Sequence, residues 1–599
     1  MKLTDKVDAE LAELPSFSTN LKARKPRDDH SVAETECSSA NGINDDEKAE
    51  KYEIAYNGER IDPWSKSYLG VPLNYFSVGL MLGGSVSILY PVLVVREGVT
   101  SSLLAASNSL VTIFWSYKIF FGFISDCFPI FGWKRKPYIF TGWVLCATLL
   151  FTLASEGHEI IPSRLVIMLT LANLGYVMAD VSADGFMVWM AHREPVNERG
   201  KTQTLVYSIN TIGQIVINIV VLLGFSGPEM NCPGYQSDPN IPCTSNEHTL
   251  TRNQLSLVDP ENWCHQMCDN AVFDFNITIP QFAILIAVVN VISLPSFCML
   301  HEEKVQKQSV NEFITKFWVQ LQRKAIWQVM LYSMVSHITL GVVNAAKVPA
   351  NYVWLNLHTT QNQIMVLMEK VITFVSLSYV RKYALHISWR KLVWNGSILV
   401  TFFNLLYFII AFNLWRNVWF YIFTDVTEKF MHTLNFIASV FCMVEVAEPG
   451  YEAITYALIT TASNAVSPLS AVISYQFLAF FPDLNTQQSI ATDTPEVRKH
   501  FAMLHTMTMI VNLSSLLALP MLPRQKKETR ELVMKGEKSS FWVRSCYECI
   551  LFFTCSSMEV INNVQFVFCF DLLLDRGDLP FGPCLFFWRT QPLSHFLQS

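Results

Sequence analysis

Charge is scarce in this chain. Of its 599 residues, 16% are Asp, Glu, Lys or Arg, against about 25% in an ordinary soluble domain. That deficit, beside 51% hydrophobic residues, excludes a standard globular fold and points to a polytopic membrane protein. Other absences narrow the function. No Gly-x-x-x-x-Gly-Lys-Ser/Thr loop occurs, so ATP-driven pumping has no nucleotide cradle to use. There is no His-Glu-x-x-His and no Gly-x-Ser-x-Gly, and the 13 histidines are scattered, which weighs against an intramembrane enzyme and against any metal or cofactor. The basic residues lie in short loops rather than in one patch, so nucleic acid is not an expected partner. Residues 1–66 lack the basic start, apolar core and cleavage site of a signal peptide, and Asp45–Glu50 is too acidic for a transit peptide. We expect a disordered cytosolic tail there, with the first span as its own insertion signal.

Long apolar runs are abundant. They fall near 71–95, 103–124, 138–155, 165–190, 204–225 and 279–300, then 325–346, 362–380, 392–412, 418–444, 453–480 and 501–522. Each approaches the ~20 residues of a membrane-spanning helix. The expected architecture is therefore all-α and polytopic, with six spans in 67–300, a linker over 301–324, six more in 325–522, and a tail over 523–599. Alternate loops collect Lys134–Lys136, Arg193, Arg199 and Lys201, a Lys304–Lys324 cluster, Arg381–Lys391 and Arg524–Arg530. The positive-inside rule then places the N-terminus in the cytosol.

The 226–278 loop falls on the opposite side. It carries seven acidic residues against Arg252 alone, and Cys232, Cys243, Cys264 and Cys268. In that compartment two disulfides of unassigned connectivity are expected; zinc is the weaker reading for want of a second pair at ligand spacing. Asn276-Ile-Thr278 is a glycosylation sequon close to the next span. In the linker, Phe313, Phe317 and Leu321 recur every four residues, which leaves an amphipathic helix lying on the inner membrane surface and a plain linker both open. Residues 541–574 are apolar but interrupted by Glu548, Glu559 and Asp571; an extra span and a gene-model artefact are both open there.

Ionisable residues inside spans mark a substrate or ion path. Asp180 and Asp184 lie four residues apart, on one face of a helix. They read either as a proton-accepting pair or as partners of Arg193 or Arg199. Lys118, in span two, could pair with a span-four aspartate, bind a substrate carboxylate, or snorkel to headgroups. Asn210, Gln214 and Asn218 form a polar stripe that suits either a ring with amide-like donors and acceptors or helix–helix adhesion. Glu369, Lys370, Asp425, Glu428 and Lys429 fall within spans eight and ten, where Asp425 and Lys429 can neutralise each other and Glu428 needs another partner; an intramembrane site and, if span ten starts later, an interfacial position are both open. His337 reads as packing, and the many aromatic residues as lipid-facing or interfacial. Gly122, Ser125 and Asp126 permit close helix contact and a carboxylate facing basic loops.

The run Gly122, Ser125-Asp126, Pro129-Ile-Phe-Gly132 and Lys134-Arg-Lys-Pro-Tyr138 resembles the signature of major facilitator superfamily proteins, and most of all its folate–biopterin transporter family. Two further stretches agree: Ala179–Gly185 with Glu198-Arg-Gly-Lys201, and Glu448-Pro-Gly-Tyr-Glu452 with Tyr456 and Ser463-Asn464. The resemblance implies a major-facilitator-like fold of two six-helix bundles and transport of folate or pterin, with protons as partners. It implies Gly122, Asp126, Lys134 and Arg135 as an inner gate, and Asp180, Asp184, Glu452 and Asn464 as path residues. The residues themselves also leave open a carrier for another small organic anion or amino acid. An intramembrane enzyme and a non-transporting pterin sensor remain as readings of another class. A surface membrane and a vacuole-type membrane suit the acidic loop equally.

Overall fold

A computed structural model describes residues 61–96, 101–156, 161–195, 198–226, 275–305, 309–357, 359–448 and 450–538. The four loop cysteines, the tail before residue 61 and the 541–574 segment lie outside them. The described chain is helical: α1 Gly70–Ser87, α2 Ser101–Val111, α3 Lys118–Cys127, α4 Lys136–Ser155, α5 Pro162–Ala191, α6 Lys201–Gly224 and α7 Ile279–Ser293 make the first half. After α8 Val310–Leu321 come α9 Lys324–Gly341, α10 Lys347–Leu355, α11 Thr359–Tyr379, α12 Trp389–Ala411, α13 Val418–Val446, α14 Glu452–Ala465, α15 Ser467–Ala479, α16 Gln487–Ala491, α17 Pro495–Ser514 and α18 Lys526–Lys535. Among the described residues, ten helical stretches are long and apolar enough to cross a bilayer; the protein is a multi-pass integral membrane protein.

All twelve expected runs fall largely on helix, but that at 103–124 is interrupted, that at 453–480 breaks at Val466 between α14 and α15, and that at 325–346 ends early. Span two breaks into α2, a 3-10 turn over Ile113–Tyr117, and α3. The run Val-Thr-Ile-Phe-Trp-Ser-Tyr is β-branched and aromatic, and such residues lose rotamer freedom in a helix. Irregular backbone at membrane depth survives only where protein satisfies it, and here span eleven does. The Ile119 N–H donates to Thr461 Oγ1 at 3.0 Å, and Asn464 Nδ2 donates to the Trp115 carbonyl at 3.1 Å. Span seven stops at Gly341. Val343 N–H then donates to Ser474 Oγ, and Asn344 turns back to accept from Ala346 N–H.

Close packing comes from small residues, the usual device where lipid offers no hydrophobic drive. A side chain at Gly142 would meet the Gly175 carbonyl at 2.5 Å, so α4 and α5 touch backbone to backbone. The two halves meet along two seams, α6 against α11, and α3 with α5 against α14. At one end Tyr90 and Tyr352 stack across the halves. Of the two readings open for the linker, the structure has a helix, α8, and its apolar face is covered by protein. Phe313 is buried, packed edge-on to Phe123 and beside Tyr451.

Candidate functional site

Helix α5 runs through the centre of the first half, and Asp180 and Asp184 lie one turn apart on its buried face. Lys118, the first residue after the break in span two, projects onto both. Its Nζ lies 2.5 Å from Asp180 Oδ2 and 3.1 Å from Asp184 Oδ2. The three side chains are 3% or 4% exposed. Trp115 lies under the ammonium at 4.1 Å, a cation–π contact, and donates through Nε1 to Tyr176 OH at 2.6 Å. Tyr75 OH donates to Asp184 Oδ1 at 2.7 Å. Tyr207 approaches Tyr75 edge-on, and its hydroxyl bonds that of Tyr456 on α14. A chain of hydrogen bonds and one edge-on ring contact thus runs from Asp180 to the second half.

Of the alternatives open in the sequence, the structure selects Lys118 as the aspartates' partner. Arg199 instead pairs with Glu445, and Arg193 stacks over Trp189. Asn210 and Gln214 bond to one another at 2.8 Å, and Asn218 accepts from Ser87 on α1. The first of these bonds lies within α6 and the second joins α6 to α1; neither reaches the charged triad. Asn464 lies at the span-two break. Three tyrosines that the sequence left among lipid-facing aromatics belong to the site; only Tyr456 fell within a quoted motif.

Of the residues that the resemblance names as a gate, Asp126 and Arg135 meet, and Glu452 joins them. Arg135 reaches Asp126 at 2.6 Å and Glu452 at 3.5 Å, and donates to Ser125 Oγ. Asp126 Oδ2 accepts the Ile454 N–H at the start of α14, where the helix dipole favours an anion. Lys134 Nζ donates to the Gly450 carbonyl. The loop is oriented by Glu302, whose carboxylate accepts the N–H groups of Lys134, Arg135 and Lys136. Gly185 matters here because a Cβ would lie 2.7 Å from the Arg135 guanidinium carbon. This latch bonds the first half to α14.

A second latch, not expected from the sequence, closes the same face. Glu445 of α13 takes Arg199 at 3.1 Å and Arg530 at 3.3 Å. Lys526 Nζ donates to the Arg199 carbonyl at 2.5 Å, and Gln203 donates to the Val440 carbonyl. Glu194 folds the intervening loop by accepting from Gly200 and Thr202. Burial lowers the Lys526 ammonium to about 8, against the attraction of Glu445. Between there and the ordinary lysine value of 10.5, undocked chain holds a proton that docked Lys526 has released. Docking of α18 therefore strengthens as pH rises through that window, and below it the slope vanishes. Hydrogen exchange of α18 is expected to slow, relative to intrinsic rates, as pH rises through that range, and Lys526→Met to abolish the trend.

In the second half, Asp425 does not pair with Lys429. It takes Lys347 at 2.7 Å, while Lys429 reaches Glu369 at 3.6 Å and Glu428 meets His432 at 3.2 Å. Lys347 comes from α10 and displaces the in-helix partner. Among the described residues, no group of His, Cys, Asp and Glu could hold a metal ion.

A family model described as the BT1 family matches residues 79–225, a stretch that contains Lys118, Asp126, Arg135, Asp180 and Asp184. The chain is 34% identical over 102 residues to a probable folate-biopterin transporter 4 of Arabidopsis thaliana, covering 17% of this chain and 21% of that protein. It is 28% identical over 126 residues to a folate-biopterin transporter of Synechocystis sp., covering 20% of this chain and 24% of the relative. The matched stretch thus spans at most 24% of these curated relatives. Among solved structures, a major facilitator superfamily transporter, FucP, in the outward conformation superposes with a TM-score of 0.43 at 12% identity, over 74% of this chain and 98% of that one. Over residues 79–225 the chain is thus similar to the BT1 family.

Proposed function

We propose that this protein is a secondary active transporter that carries a folate- or biopterin-type pterin by alternating access, coupled to protons. The observation that carries the reading is the sealed Lys118–Asp180–Asp184 triad. Two carboxylates against one ammonium leave a net negative charge in a low-dielectric site, and uptake of one proton neutralises it. Such a group is tolerated in a membrane where its charge is used. The triad adjoins both the broken span and the tyrosine chain to α14, so its protonation is linked to the seam between the halves. The two latches hold one face shut, the cytosolic one on the expected topology, while Tyr90 and Tyr352 touch across the halves at one end; rocking of the halves would open one closure while keeping the other. The names of the curated relatives supply the pterin.

The test is uptake of labelled folic acid and biopterin into cells without folate import of their own, at acidic and neutral external pH, with Asp184→Asn beside the parent. Saturable uptake, faster in acid and lost in the variant, is the expected result. Absence of uptake for both compounds, with the protein at the surface, would turn the reading to a carrier of another small organic anion.

A further inference from the structure

The second half holds a charged face that the triad does not use. Asp425, Lys429, His432 and Phe436 follow one another along α13 at steps of four, three and four residues, hence on one side of the helix. Phe436 fixes where that side points, because its ring lies edge-on, 5.7 Å from Tyr207 of the first half. The face therefore looks across the seam toward the tyrosine chain. Glu369 and Lys370 approach it from α11, which packs on α6.

Two properties separate this face from the triad. The first is access. The side chains of Lys429 and His432 are 43% and 31% exposed, whereas the triad is shut. Charged groups turned toward acyl chains are strongly disfavoured, so groups this exposed are expected to meet water rather than lipid. The second is slack in the pairing. Lys429 meets Glu369 at 3.6 Å, longer than a charge-assisted hydrogen bond of about 2.8 Å. Lys370, half-buried, has no carboxylate at ion-pair distance among the described residues. Asp425 and Glu428 are occupied by Lys347 and His432 and do not compete for these ammoniums.

We propose that Lys429 and Lys370 form a carboxylate-binding subsite, in which an anionic group of the cargo displaces Glu369 from Lys429. The cargo's uncharged part would lie toward Phe436 and the Tyr207–Tyr456 pair. The proposal deepens the transport reading and rests on it for the cargo. It assigns the two halves different tasks, proton handling in the first and anion recognition in the second.

Two measurements on the full-length protein test it. Cysteine placed at His432 is treated with anionic and cationic methanethiosulfonate reagents, and labelling above that of the parent protein is scored. Labelling is expected, with the anionic reagent favoured, and the ratio of anionic to cationic rate is expected to fall several-fold when Lys429→Gln is added. Absence of labelling, or a ratio indifferent to Lys429, overturns the subsite whatever the cargo proves to be. In the second measurement, the binding of folic acid, which bears carboxylates, is compared with that of biopterin, which has none. Lys429→Gln is expected to weaken folic acid about tenfold while leaving biopterin within about twofold. Equal weakening of both, or of neither, refutes the proposal. The Glu369→Gln/Lys429→Gln pair guards against misfolding, since it restores local neutrality and is expected to keep biopterin binding while still losing folic acid. Should the parent bind neither compound while the labelling ratio responds to Lys429, the pterin reading fails and the carboxylate subsite stands.

Discussion

Lys118→Met is expected to abolish saturable uptake and to lower the stability of the purified protein by about 3–5 kcal/mol, the cost of leaving a buried charge without its partner. The effect is large because Lys118 Nζ serves both aspartates, at 2.5 and 3.1 Å, in a site closed to water. With the ammonium gone, Asp180 loses its bonded cation, and Asp184 retains the Tyr75 hydroxyl. Adding Asp180→Asn to Lys118→Met removes one of the two orphaned charges. Thermal melting in detergent should then recover most of the loss, and uptake should not return. A Lys118→Met protein that melts with the parent would show that the ammonium is not what balances the aspartates.

The second large effect is expected at the gate. Arg135→Gln leaves Asp126 and Glu452 facing one another without the guanidinium that separates their charges. The penalty, again about 3–5 kcal/mol, falls on the latched arrangement rather than on the fold as a whole, because the contact joins the first half to α14. About 3 kcal/mol is about a hundredfold in population. Cys127, buried beside Asp126, gives the readout. Its reaction with a thiol reagent applied to the loop-bearing face should accelerate strongly in the variant, while melting changes less than in Lys118→Met. Unchanged labelling would mean that the second latch, around Glu445, holds this face alone.

The spans were legible because a bilayer imposes a length and a polarity that few other structures meet. Asp180 and Asp184 were legible for the same reason, since a carboxylate within an apolar run stands out and helical spacing fixes their shared face. What local spacing could not supply was the identity of partners from other helices. Asp425 and Lys429 satisfy the four-residue rule, yet Lys347 arrives from α10 and takes the aspartate. Tyr75, Tyr207 and Tyr456 were invisible as site residues, because an aromatic ring in a span reads the same whether its hydroxyl meets a headgroup or a carboxylate. Glu452 carried a path role by resemblance, and the structure brings it to Arg135, at the latch. Helix α8 showed its apolar stripe plainly, but a stripe does not say what will cover it, and here Tyr451 and Phe123 do so.

The interrupted second span has a consequence for how motion in this protein can be watched. Ile119 N–H and the Trp115 carbonyl are held by Thr461 and Asn464, residues of the opposite half. When the halves part at that level, both groups lose their protein partners together and must find solvent or close into a regular turn. The Ile119 amide is therefore a built-in clock for the seam. Its deuterium uptake counts the openings of the molecule directly, with no label attached and no cargo identified.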